Sequence, residues 1–468
     1  MDGTICGRWL LPHPPAAVEA VGGAYREKIA ATVGGMEKAA ARIAETKPDT
    51  VVIITPHGPR FSHHFYTPSQ PRVSGDFAAF GAAKPFWGFD CDLELISRLE
   101  EAAAKRGLSA GRVDDAEMRR NGLSYDLDHG ALVPLTFLAE RYRDFRVVPL
   151  SLSDVSAMDH YRLGMALREA AEARGGRTAV IASGDLSHKL QSDGPYGYDE
   201  AGPAFDRAAR KALLGEDLFG LMTLDPAFAE RAAQCGLNSY RVLLGTLDGF
   251  AFTAEFFSYE GPLGVGYLTG ELRQGKPRES FATHFPEAFR AFREERQRRE
   301  SAPVKLARRA IETYLADGGV IEATAEEKAA LDDIACHGLF VSVKIDGHLR
   351  GCIGTSREIP GQLCREIIEY AIDAATKDPR FPKMTADEAA AATISVDLLG
   401  EAEATDESGL DPKRYGIIVE SRDKSALLLP DIAGIDTVED QLAIARDKAG
   451  IHPWRKMSIR RFTVTRYE

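Results

Sequence analysis

Three stretches in this chain hold continuous runs rich in β-branched residues: "TVVIITPHG" (Thr50 to Gly58), "FRVVPLSL" (Phe145 to Leu152) and "TAVIASGDLSH" (Thr178 to His188). A strand with one face in water alternates polar and apolar residues, so unbroken runs predict strands buried on both faces. Between them lie alanine-rich amphipathic stretches such as "AMDHYRLGMALREAAEARGG", which ends in the Gly-Gly pair suited to a helix C-terminus. The expectation is an α/β first domain with a central, largely parallel or mixed sheet and flanking helices.

A chain of 468 residues exceeds one usual core, so two domains are expected. The texture changes after "GYLTG". Residues 1–270 carry the α/β pattern, residues 271–301 read as a charged linker ("AFREERQRRE"), and residues 302–468 read as a smaller α+β domain. In the last, "LFVSVKIDGHLRGCIG" reads as strand, Asp-Gly turn and return strand. "ATISVDLL", "YGIIVES", "ALLLP" and "IRRFTVTRYE" add strands, and "PVKLARRAIETYLA", "LCREIIEYAIDAATK" and "DTVEDQLAIARDKAG" read as helices.

A formal charge of −12 argues against nucleic acid or an anionic membrane as the main partner. The start of the chain lacks a signal-peptide pattern, and no apolar run approaches the roughly 18 residues of a membrane span. Six cysteines without a CxxC pair read as reduced thiols, and the expectation is a cytoplasmic protein. Nothing in the sequence specifies an oligomeric state.

Several histidines sit just beyond strand ends: His13 after "RWLLP", His57 after "VVIITP" and His188 after "VIASGDLS". Proline on both sides of His13 holds its imidazole in a restricted turn. Alone it is a turn histidine, but the carboxyl ends of strands in an open α/β sheet form the ligand crevice, and the position recurs. His129 in "YDLDHGALVPL", between a turn-like stretch and an apolar helical run, is expected to face the same crevice. Converging imidazoles point to a metal; two histidines plus one anion, with open positions, suit Fe(II). The expected third ligand is Cys235 in "AERAAQCGLNSY", where the following glycine would lift the thiol out of a helix end. Glu230 is the carboxylate alternative.

The motifs "LPHPP", "TPHG", "LDHGALVPL", "SGDLSH" and "QCGLNSYRVLLGTLDG", in that order, resemble the class III extradiol ring-cleavage dioxygenases (the LigB-like fold) and, more closely, their Memo-like branch. The resemblance covers about Thr4 to Gly270. It implies that His13 and His57 bind non-haem Fe(II), that His188 is the acid/base beside the metal, and that His129 contacts substrate or bound oxygen. LigB-like dioxygenases supply glutamate as third ligand, whereas Memo-like proteins supply cysteine, here Cys235. A thiolate carries the same charge but is softer, which moves metal preference toward Zn or Cu.

From Ala302 to Glu468 the chain resembles the AMMECR family through "LRGCIG" (Leu349 to Gly354) and "DPRFP" (Asp378 to Pro382). Here Arg350 would meet an anion, and Cys352 would serve as a nucleophile with His348 or His337 as base. Glycines at a tight strand crossing explain the same motif. The fused halves resemble a bacterial and archaeal arrangement whose third partner is a radical-SAM protein. This chain has no CxxxCxxC motif, so it would be the partner of such an enzyme. The expected function is an Fe(II)-dependent oxidoreductase of extradiol type, taking O₂ and a small-molecule substrate such as an aromatic diol. The alternatives are a metal-binding interaction protein without turnover and a Zn-dependent hydrolase.

Overall fold

The computed structural model describes residues 4–468 apart from 346, 358–360, 423, 433, 434, 436 and 453. The side chains of Ala83 and His348 also lie outside the described residues. Two expectations therefore fall outside them: His348 as a base, and Asp346 of the Asp-Gly turn. The chain divides into two compact units, Met1–Phe289 and Arg290–Glu468.

The first unit is built on strands β1 (Thr4–Leu11), β2 (Thr50–Thr55), β3 (Arg146–Ser151), β4 (Arg177–Ser183), β5 (Phe250–Glu260) and β6 (Tyr267–Pro277). They form one mixed sheet in the order β3-β2-β4-β1-β6-β5. The first four are parallel, and β6 and β5 close the edge antiparallel. The unbroken run of β2 is explained by its two faces. Val52 and Ile54 enter a core with Tyr161, Leu163 and Leu167 of helix Ala157–Arg174. Val51 and Ile53 enter the opposite core with Met36 and Ile43 of helix Ala30–Thr46 and Leu132 of helix His129–Ala139.

The stretch 271–301, expected as a linker, is part strand and part helix. β6 runs on to Pro277, and a helix spans Phe281–Arg299. Among its charges this segment hides phenylalanines four residues apart, one helical turn each. Phe285 is buried in the core of the first unit, with Phe281 and Phe289 packed against it.

The second unit has two four-stranded antiparallel sheets. One is made of β7 (Leu339–Ile345), β8 (His348–Thr355), β9 (Thr393–Leu399) and a C-terminal strand Val464–Tyr467. The helices Ala302–Asp317 and Leu363–Thr376 share its core. The other sheet comprises Glu403–Thr405, Gly416–Ser421, Lys424–Leu428 and Ser458–Phe462. Among the described residues, no helix is long and apolar enough to cross a membrane.

Candidate metal centre

β2, β4 and β1 are neighbours in the sheet and parallel, so the segments leaving their carboxyl ends emerge side by side. Those segments carry His57, the pair Asp185 and His188, and His13. His13 is buried, 2% exposed, and its orientation follows from a chain of hydrogen bonds. The Ser183 hydroxyl donates to the Gly130 carbonyl at 2.5 Å, which leaves its lone pairs to accept Nδ1–H of His13 at 2.8 Å. That tautomer turns a bare Nε2 into the crevice. There it lies 3.0 Å from Nε2 of His57 and 3.6 Å from Sγ of Cys235. Donor atoms of His13, His57 and Cys235 all lie within 4.8 Å of one another.

Cys235 arrives from a distant part of the chain. It occupies the turn between the helices Pro226–Arg231 and Leu237–Gly245, just ahead of the second one's start and not at a helix C-terminus. The turn is tied to Asp185. The backbone N–H groups of Cys235 and Gly236 donate to the Asp185 carbonyl at 3.3 and 2.9 Å, and Asp185 N–H donates to Sγ at 3.2 Å. This approach needs glycine on both sides, since a Cβ on Gly184 would lie 2.2 Å from Cα of Gly236.

Residues 7–270 match the family described as the catalytic LigB subunit of aromatic ring-opening dioxygenase. The chain belongs to the LigB family. Residues 304–467 match AMMECR1, so the two domains are fused as their motifs indicate. A Clostridium acetobutylicum protein is 37% identical over 463 residues, covering 99% of each chain. A Thermotoga maritima protein is 48% identical over 168 residues, 35% of this chain and 96% of that one. Among solved structures, an uncharacterized Pyrococcus horikoshii protein is 32% identical with a TM-score of 0.33, covering 35% of this chain and 88% of its own. An uncharacterized Escherichia coli protein is 15% identical with a TM-score of 0.40, covering 56% and 98%.

LigB-type dioxygenases usually bind a metal, and the donors of this LigB domain fit one. Two imidazole nitrogens bonded to a common ion at about 2.0–2.1 Å sit roughly 3 Å apart, the separation between His13 and His57. Burial, with His129 and His188 beside it, holds His13 well below the usual histidine range. Burial and then His13 and His129 hold His57 down to about 3, and burial lowers His129. These imidazoles stay neutral at physiological pH and offer lone pairs. Burial and then Asp185 push the Cys235 thiol up, so metal binding must expel its proton.

His129 opens its helix, capped by Asp128, whose carboxylate accepts from Ala131 N–H and from the Thr55 hydroxyl at 2.6 Å. Its ring stacks on His57 with centroids 4.5 Å apart, and Phe80 stands 5.4 Å from it. His188 follows β4, with Tyr196 against its ring at 5.1 Å. Its Nδ1 is buried with no hydrogen-bond partner among the described residues.

Glu230 does not reach the crevice. It is exposed on the helix Pro226–Arg231, which turns its carboxylate to solvent. The carboxylate in the crevice is Asp185, which the sequence reading passed over. Its Oδ1 accepts from His13 N–H at 3.0 Å, and its Oδ2 lies 3.7 Å from His13 Nε2 and 3.8 Å from His188 Nε2. With His188 and Cys235 it forms a second group of donors. The available signal was its place in "SGDLSH", directly after a buried strand.

In the AMMECR1 domain the "RGCIG" residues are engaged structurally. Arg350, expected to meet an anion, bonds both oxygens of Glu388 at 2.8 and 3.2 Å and the Pro382 carbonyl at 2.8 Å. The Ser342 hydroxyl donates to Sγ of Cys352 at 3.3 Å, and Cys352 N–H donates to Asp378 at 2.9 Å. A Cβ on Gly351 would lie 2.0 Å from the Ala374 carbonyl oxygen, so this glycine admits the helix Leu363–Thr376 against β8.

Proposed function

We propose that the LigB domain is a non-haem Fe(II)-dependent oxidoreductase of extradiol type that opens an aromatic diol with O₂. The observation that carries this reading is the convergence of three donors, His13 Nε2, His57 Nε2 and Cys235 Sγ, within 4.8 Å at the carboxyl ends of adjacent strands. These residues would hold the iron, which when bound supplies Lewis acidity and open positions for two further ligands. His188 takes the proton of a substrate hydroxyl at Nε2, and the carboxylate of Asp185, 3.8 Å away, stabilises the imidazolium. His129 and Phe80 form an aromatic wall for the substrate ring. The six free cysteines support a reducing, cytoplasmic setting, and the fusion supports action beside a radical-SAM protein.

Cys235 favours a second reading. Its soft thiolate suits Zn or Cu, and the domain would then be a Zn hydrolase or a metal-holding interaction protein. Protein purified without oxygen, loaded with Fe(II) and offered a panel of catechols is expected to hold one iron per chain and to consume O₂ with a substrate. Zinc retained in place of iron, no oxygen uptake and cleavage of esters or amides would instead establish the hydrolase.

A further inference from the structure

Arg8 lies on β1, five residues back from His13 and so roughly 16 Å from the crevice at about 3.3 Å per residue. It is 4% exposed, and buried guanidinium groups are ordinarily paired with an acid. Arg8 is not. Its Nε donates to the Thr246 hydroxyl at 2.7 Å, and one Nη donates to the Thr246 carbonyl at 3.2 Å and to Oε1 of Gln274 at 3.3 Å. The Thr246 hydroxyl in turn donates to the Leu243 carbonyl at 2.6 Å. Every partner is neutral, and no carboxylate among the described residues lies within ion-pair distance.

This cation lines a cavity of about 430 Å³ shared with Arg168, Gln274 and Phe250. Arg168 adds a second positive charge. It is anchored by the Asp248 carbonyl, lies over the Phe250 ring at 5.6 Å, and pairs at 3.7 Å with Glu172, which also lines the cavity and whose side chain is 60% exposed. The other two charged side chains at the cavity, Glu271 and Arg273, bond each other at 3.2 Å. Burial, and then repulsion from Arg168, pull Arg8 down to about 10. The cavity lining therefore carries three guanidinium groups, Arg8, Arg168 and Arg273, against two carboxylates, Glu172 and Glu271, and buried Arg8 is left without an ion-pair partner among the described residues.

We propose that this cavity is a binding site for a small oxyanion, a phosphate or carboxylate group, which Arg8 and Arg168 clamp with planar, charge-assisted hydrogen bonds. Such a ligand neutralises the buried charge and stabilises the folded state by mass action. The site is separate from the metal centre, and occupation leaves metal content unchanged.

The full-length protein is titrated, at constant ionic strength, with inorganic phosphate and separately with succinate while thermal unfolding is followed. A saturable rise in Tm with either anion is expected, and the more effective one names the group. Gln274→Glu places a carboxylate beside Arg8 from within; it is expected to raise Tm without ligand and to abolish the response. Arg168→Ala, which leaves Arg8 and its bonds in place, is expected to weaken anion affinity at least tenfold. No saturable response to either anion, or a response preserved in Gln274→Glu, overturns the proposal.

Discussion

The crevice of the LigB domain and the "RGCIG" strand of the AMMECR1 domain both offer a cysteine next to glycine and a carboxylate that anchors its surroundings. They differ in what remains unsatisfied. Around Cys352, Arg350 is spent on Glu388, Asp378 on Arg380 and the Cys352 N–H, and Gly351 on admitting a helix. Around Cys235, by contrast, hydrogen bonds orient the donors and stop there: His13 Nε2, His57 Nε2 and Sγ are turned toward one another. A motif reports chemistry when its polar atoms are positioned but left over. It reports packing when they are consumed.

The largest test of that contrast is loss of a ligand. His13→Ala and His57→Ala are each expected to reduce bound metal from one per chain to near zero by elemental analysis, with circular dichroism unchanged. Cys235 should resist alkylation while metal is bound and become reactive after chelation. Equal labelling in both states would remove it from the metal's ligands and leave Asp185 to be tested.

Next in size is His188→Ala. Metal content should stay near one while turnover falls about 10²–10⁴-fold; loss of the metal would make His188 a ligand and not the base.

In the AMMECR1 domain the glycine and not the cysteine should matter. Gly351→Ala is expected to cost about 1–3 kcal/mol by overpacking. Cys352→Ala removes one half-buried group, worth about the 0.8 kcal/mol of a buried methylene. Thermal denaturation ranks the two, and the reverse order would mean that Cys352 does more than pack.

The smallest effect is a pair of opposite pH dependences. Asp206 accepts Ser187 N–H at 2.8 Å and the Tyr259 hydroxyl at 2.7 Å. Burial raises it to about 6. The folded form then binds the proton more tightly than an unfolded carboxyl of about 3.9, so this contribution to stability falls as pH rises from about 4 to 6. Asp378, held well below the carboxylate range first by Arg380, does the opposite: its contribution is present above about pH 4 and is lost in acid. Asp206→Asn should flatten the first slope and Asp378→Asn the second, read as Tm against pH.

The central parallel strands were legible because burial on both faces leaves an unbroken apolar run, as in Val51 to Ile54. The β5–β6 edge was not. Glu255, Glu271 and Arg273 form a charged ladder with Arg42 of the helix Ala30–Thr46, so by its residue types Glu271 onward looks like solvated chain. His13, His57 and His188 are legible from their strand ends and His129 from the turn before its helix, whereas nothing local beyond its place after a buried strand marks Asp185 over Glu230. No local pattern shows that the turn holding Cys235, 50 residues further on, would settle on Asp185. That meeting depends on two glycines in contact, Gly184 and Gly236, and tertiary contact between small residues leaves no periodicity.

His13 and Cys235 are 222 residues apart in the chain. At a synthesis rate of about 5–20 residues per second, His13 leaves the ribosome roughly 10–45 s before Cys235 does. An ion arriving in that interval meets imidazoles without a thiolate and a sheet without its closing strands. The three donors therefore first coexist only once Cys235 has been made, so the complete donor set belongs to the nearly finished domain and not to the early nascent chain.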